Sequence, residues 1–223
     1  MKIGIIIAMD IEYRKMLEVL GGKPEGRIGR NDVVLWQCGI GKVNAALQTA
    51  KMISEYHPDA IISSGCAGGN GDDINVQDVV VSSQLAYHDV YCGEAIGKCV
   101  YGQVQGLPPR FEVDKNLLLK AFNLNKHLKD ISVHPGLIVT GDWFVDTKEK
   151  MREIIKHFPE ARAVDMESAA IAHTCYIYKV PFISFRVISD IPLRDTNAAM
   201  YHNFWDTIAE NSFQVTKTFI ESL

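Results

Sequence analysis

Residues 2–8 read KIGIIIA, an almost continuous isoleucine run of the kind that marks a strand covered on both faces, and they predict a central strand. The same pattern returns at 33–38 and at 60–64. Between these two runs Val43, Ala46, Leu47, Ala50 and Ile53 recur at helical spacing, completing a strand, helix, strand unit with a right-handed crossover. Residues 79–85 predict a further strand, and 89–111 a Gly- and Pro-containing excursion at the surface or at a subunit contact. Downstream, a helix is predicted over 115–122 and a buried strand over 136–140. Asp146 with Glu149 three residues on forms a capping-box-like start, and Met151, Ile154, Ile155 and Phe158 line one face of the helix that follows, which Pro159 ends. Residues 166–176 are small or apolar almost throughout and predict a buried helix; 181–189 predict a strand, and 205–219 a closing amphipathic helix. Strands alternating with helices, with no linker, repeat or low-complexity tract, predict a single-domain α/β fold over residues 1–223.

A chain of 223 residues with 47 % hydrophobic content can bury a substantial core without cross-links. A net charge of -4 and the lack of any Lys or Arg block give no pull towards phosphate backbones or anionic bilayers, so neither nucleic acid nor membrane is expected as a partner. No stretch approaches the ~20 apolar residues of a spanning helix, and Met1-Lys2 leads directly into the first strand, as in a mature protein. Cys38, Cys66, Cys92, Cys99 and Cys175 are odd in number and lack the CxxC or Cys/His spacing of a zinc site, which fits a reducing cytoplasm and no structural metal.

Ligands of open α/β sheets bind outside the carboxyl ends of the strands, so the polar residues just after each apolar run carry the candidate chemistry. The first strand ends in Ala8-Met9-Asp10-Ile11-Glu12, the third in SGCAGG, the fifth in Gly141-Asp142-Trp143-Phe144 and the last in Arg186-Val187-Ile188-Ser189-Asp190. Val164-Asp165-Met166-Glu167 adds two carboxylates at the start of an apolar helix. Each has an ordinary alternative: Asp165 and Glu167 as complements of a helix dipole, Asp190 as a cap, Glu12 as a surface charge, and the glycines as a tight turn. Gly39-Ile40-Gly41 follows a strand and opens a helix, but the third glycine of a dinucleotide turn is missing and the next strand ends in Ser63-Ser64 without an acid; there is no GxxxxGK[ST] phosphate loop either.

Taken in order, MKIGIIIAMDIE, CGIGKVNAA, SSGCAGG, YHD, YGQ, GDWF, AVDMES and FRVISD make the chain similar over nearly its whole length to the 5'-methylthioadenosine/S-adenosylhomocysteine nucleosidases of the purine nucleoside phosphorylase superfamily. The resemblance implies a three-layer α/β/α fold with a mixed sheet, a homodimer, no cofactor, and hydrolysis of adenine nucleosides. It implies Asp190 as the acid at the purine, Glu12 as the base for water, and Glu167 with Met166 at the ribose. Phe144 would stack on adenine, Val145 would read its edge through the backbone, and Arg186 and Ser189 would support water and acid. Met9 and Cys66 would line the site, with Tyr201 over the ligand. The chemistry fits that division, because cleaving an N-ribosidic bond leaves positive charge on the sugar and negative charge on the leaving base, a task for two carboxylates in opposite protonation states.

The chain departs from the family pattern at Cys66, where Ser is usual, at Asp165, where Glu is usual, and in a longer 89–101 segment that puts substrate preference in question. A phosphorylase is the nearest alternative. It needs a cationic site, whereas the first strand here ends in Asp10 and Glu12. A nucleosidase for an aminofutalosine-type adenine nucleoside and a nucleoside-binding protein without catalysis are the others.

Overall fold

The computed structural model describes residues 1–93, 99–124, 128, 131–194, 204 and 211–223. Within them the first apolar run forms β1 (Lys2–Ile7), flanked in parallel by β3 (Asn31–Gln37) and β4 (Ala60–Gly69), with β2 (Glu25–Ile28) antiparallel at the edge. Ile3, Ile5, Ile6 and Ile7 are all buried, as a strand covered on both faces requires. The second half of the sheet comprises β5 (Val79–Tyr87), β6 (Phe111–Glu112), β7 (Val133–Thr140), β8 (Ala161–Asp165) and β9 (Phe182–Asp190). The helices are α1 (Asp10–Val19), α2 (Lys42–Tyr56), α3 (Lys115–Phe122), α4 (Lys148–His157), α5 (Ser168–Tyr178) and α6 (Asn211–Ser222). This is the expected α/β architecture with a mixed sheet flanked by helices.

The ten-residue β4 is where the sheet divides. Its first half lies beside β1, while residues 61–68 pair with β9 in parallel and Gly68 and Gly69 pair with β8 antiparallel. β8 continues to β7, β7 to β5, and β5 returns to β9. The strands β4, β9, β5, β7 and β8 therefore hydrogen-bond in a closed circuit, and an irregularity between Ala67 and Gly68 turns the end of β4 out of its ladder.

Several local expectations need correction. Residues 164 and 165 belong to β8, not to a helix start; at five residues this strand is too short to show a period, and the helix begins only at Ser168. The cap of α4 is Thr147, whose hydroxyl accepts from the Lys150 amide at 3.3 Å, whereas Asp146 pairs with the Lys150 ammonium at 2.7 Å. Helix α2 forms as expected, but Val43 and Leu47 stay 70 % and 67 % exposed, and its inward face carries Ala45, Thr49, Met52 and Ile53. Close packing explains that choice: a Cβ on Gly4 would lie 2.3 Å from Met52 Sδ, so α2 seats Met52 in the gap that glycine leaves in β1. The edge strands β2 and β6 were not anticipated. Of the closing helix expected at 205–219, residues 205–210 lie outside the described part, as does Tyr201.

Candidate active site

The end of β1 supplies the first carboxylate. Met9, in extended conformation, is the N-cap of α1, and Glu12 reaches back so that its Oε2 accepts from the Met9 amide at 3.0 Å, half of a capping box. Its Oε1 accepts from the Cys66 amide at 2.7 Å, which joins the α1 terminus to β4. Glu12 is only 3 % exposed, so it is not a surface charge. Gly65 makes the approach possible, since a Cβ there would lie 2.9 Å from Glu12 Oε1 and 2.8 Å from Arg186 Nη1. Burial raises the Glu12 pKa above its ordinary value, while Arg186 and the two amides oppose that rise.

Arg186 projects from β9 into the interior. Its Nε donates to Asp165 Oδ2 at 2.6 Å and its Nη2 to Ser63 Oγ at 2.8 Å. Asp165 is further held by the Thr140 hydroxyl and by the Ser168 amide, so this buried ion pair has most of its polar atoms satisfied. Two residues on, Glu167 leaves the α5 terminus without capping it. Its Oε1 accepts instead from the Gly41 amide at 2.9 Å. Burial first, and the neighbouring Asp165 second, push the Glu167 carboxyl up to about 8, while Arg186 and the Gly41 amide pull the other way.

Asp190 closes β9. The Ser189 hydroxyl donates to its Oδ1 at 2.7 Å, and burial raises its pKa. Between Asp190 and Glu12 sits Cys66, whose thiol burial and the Glu12 charge push well up, so that it is a protonated neighbour and not a thiolate.

These side chains surround a cavity of about 130 Å³. Trp143, Phe144, Val145, Ile40, Ala67 and Met166 give it apolar walls, and Glu12, Glu167 and Asp190 bring three carboxylates to it, while Asp165 lines it with its own carboxylate turned to Arg186. Among the described lining residues there is no Lys or Arg. Of the eleven residues expected from sequence, nine line this cavity: Met9, Glu12, Cys66, Phe144, Val145, Met166, Glu167, Ser189 and Asp190. Arg186 lies behind it, against Gly65, and Tyr201 is outside the described residues. No group of three or more His, Cys, Asp or Glu among the described residues is disposed to hold a metal ion.

Sequence reasoning did not find the supports. Ser63 and Thr140 sit inside apolar strands, where a hydroxyl has no signal of its own. Gly41, noticed only as part of a failed dinucleotide turn, has φ +95° and donates to Glu167. An Asp89 and Asp142 pair with Lys42 could have been suspected from the YHD and GDWF motifs, each of which places an acid just after a strand.

A family model described as the phosphorylase superfamily matches residues 2–221. A curated relative, the 5'-methylthioadenosine/S-adenosylhomocysteine nucleosidase of Exiguobacterium sp., is 40 % identical over 222 residues, covering 95 % of this chain and 94 % of its own. Among solved structures, the corresponding nucleosidase of Neisseria meningitidis in complex with methylthio-immucillin-A superposes with a TM-score of 0.90 at 37 % identity, covering 100 % of this chain and 99 % of that one. The S-adenosylhomocysteine nucleosidase of Streptococcus pyogenes in complex with 5-methylthiotubericidin gives 0.89 at 34 % identity, covering 100 % and 97 %.

Proposed function

The chain belongs to the phosphorylase superfamily, and from that premise and the site we propose that it is an N-glycosyl hydrolase acting on 5'-methylthioadenosine and S-adenosylhomocysteine. The products are adenine and the matching 5-thio-substituted ribose. The observation that carries hydrolysis over phosphorolysis is the cavity itself: three carboxylates, Glu12, Glu167 and Asp190, and, among the described lining residues, no cation to receive a phosphate dianion. Arg186, the cation that acts on Glu12, already donates to Asp165 and Ser63.

In this reading Asp190 carries the proton for the purine. Burial favours its neutral form, and with Ser189 donating to Oδ1 the acid hydrogen resides on Oδ2. Protonating the base as it departs removes the negative charge that would otherwise build up on it. Glu12 is the base. Two amides fix its carboxylate in one orientation, and a raised pKa makes it a stronger acceptor for a proton from water. Glu167 binds the sugar hydroxyls and, once ionised, lowers the energy of the cationic sugar in the transition state. Trp143 and Phe144 supply aromatic surface for the base, and Cys66 stands as a weak hydrogen-bonding partner where a hydroxyl would be a better one.

The assembly we propose is a homodimer. Ile40, Val43 and Leu47 expose an apolar strip at the start of α2, next to a cavity whose Phe144 is itself 52 % exposed, and a second copy would cover both. Five free cysteines support a reducing cytoplasm as its location. The test is product analysis on methylthioadenosine with and without phosphate. Adenine and free methylthioribose are expected in both, and a sugar phosphate would overturn the hydrolase reading.

A further inference from the structure

Three separate loops meet around one lysine, two of them next in sequence to the cavity-lining Ile40 and Trp143. The Lys42 ammonium lies 2.7 Å from both oxygens of Asp89, at the end of β5, and 3.6 Å from Asp142 Oδ2, just past β7. The Lys42 amide donates to Asp142 Oδ1 at 2.9 Å, and the Asp142 amide donates to Asp89 Oδ2 at 2.8 Å. Each of the three residues therefore touches the other two. The Lys42 and Asp89 side chains are only 21 % and 10 % exposed, so solvent screens this pair weakly, and the ammonium also sits 5.5 Å above the Tyr87 ring.

The packing behind the cluster is tight. A Cβ on Gly141 would fall 2.3 Å from the His88 ring and 2.8 Å from Asp89 Cγ, and a Cβ on Gly41 would fall 3.1 Å from Asp142 Oδ1. The His88 ring stands edge-on to Trp143 at 5.2 Å. The clasp thus fixes the 39–42 turn against the strand ends that carry the base-binding wall. One atom of that turn, the Gly41 amide, reaches across to Glu167 Oε1.

We propose that Lys42, Asp89 and Asp142 are positioning residues for the ribose carboxylate, holding the 39–42 turn so that the Gly41 amide stays on Glu167. The kinetic arm of this proposal rests on the hydrolase reading; the structural arm does not. Glu167 is faced by Asp165 from β8, Arg186 from β9, Glu12 from α1 and Cys38 beyond β3. Burial, Asp165 and Glu12 favour its neutral form, and Arg186 and the Gly41 amide favour its charged form. Releasing the turn removes one of those two restraints. A lost charge-assisted hydrogen bond raises the carboxyl by about one pH unit, and at a pH below its pKa that leaves about one tenth of the former ionised population.

The experiment compares Lys42→Met, Asp142→Ala and Lys42→Arg with the natural chain. The first two should lose about tenfold in kcat/KM for methylthioadenosine at pH 7, with the gap narrowing by pH 9 as Glu167 ionises regardless. Lys42→Arg, which keeps a cation for Asp89, should stay close to the natural chain. In parallel, urea unfolding without substrate is measured across pH. The upper end of the stability loss due to Glu167 should move up by about one unit in Lys42→Met and Asp142→Ala. A kinetic gap of equal size at both pH values, or an unfolding profile that does not move, overturns the proposal. If the natural chain releases no adenine, the hydrolase reading falls, while the unfolding profile still decides the clasp.

Discussion

Replacing Glu167 by Gln isolates the cost of keeping one charge in the site. The glutamine carbonyl oxygen can still accept from the Gly41 amide, so shape and hydrogen bond are kept and only ionisation is removed. In the folded chain the Glu167 carboxyl is raised from 4.5 to about 8. Its stabilising share is therefore fully present below about pH 4.5 and is lost as pH rises through about 8, because over that window the native state binds the proton more tightly than the unfolded state. Between pH 6 and pH 8 two units of this loss accrue, at roughly 1.4 kcal/mol each, or about 3 kcal/mol, and above pH 8 there is little more. Groups remote from Glu167 titrate alike in both proteins and cancel in the difference. Urea titrations at pH 6 and pH 9, read at a common slope, should show the variant gaining about 3 kcal/mol on the natural chain over that interval while losing turnover. Parallel stability profiles would refute the argument, since they would mean that Glu167 is no harder to ionise when folded.

Three further outcomes follow from the site. Asp190→Asn should lower kcat by at least ~10²-fold, the usual cost of removing a general acid, and kcat of the natural chain should fall as pH rises through the raised Asp190 pKa; near-normal turnover in the variant would remove Asp190 from that role. Glu12→Gln should abolish turnover while calorimetry still detects adenine, and absence of binding would make Glu12 a structural residue. Gly65→Ala places a methyl within 3 Å of Glu12 and Arg186 and should cost about 1–3 kcal/mol of stability together with most of the activity. Full activity in that variant would mean that the Glu12 and Arg186 placement is not needed.

The sequence carried the apolar strands and the acids at their carboxyl edge, because a long apolar run such as 2–8 leaves few ways to thread a sheet, but β4 runs to Gly69, past the expected 60–64, so the SGCAGG glycines belong to the strand and not to a turn after it. The assembly of Met9, Glu12, Cys66, Glu167 and Asp190 around one cavity is the spatial form of that regularity. Two kinds of information were hidden. Short elements such as β8 and β6 are settled by their neighbours and not by their own period, which is why Asp165 looked like a helix residue. Packing direction was hidden as well. The apolar spacing of Val43 and Leu47 reads as a core face, yet the smaller Ala45 and Thr49 turn inward together with Met52, which fills the space beside Gly4 of β1. The hydroxyls of Ser63 and Thr140 could not be singled out, since their importance lies wholly in Arg186 and Asp165, which arrive from distant parts of the chain.

The forked β4 sets a ruler for the reaction. Glu12 hangs from the amide of Cys66, and Asp190 is the ladder partner of Gly68, two residues further along the same strand. The irregularity between Ala67 and Gly68 falls between these two anchor points, so one strand carries both. The two carboxylates proposed to move protons are thus referred to one backbone, leaving the surrounding loops free to vary in what they admit.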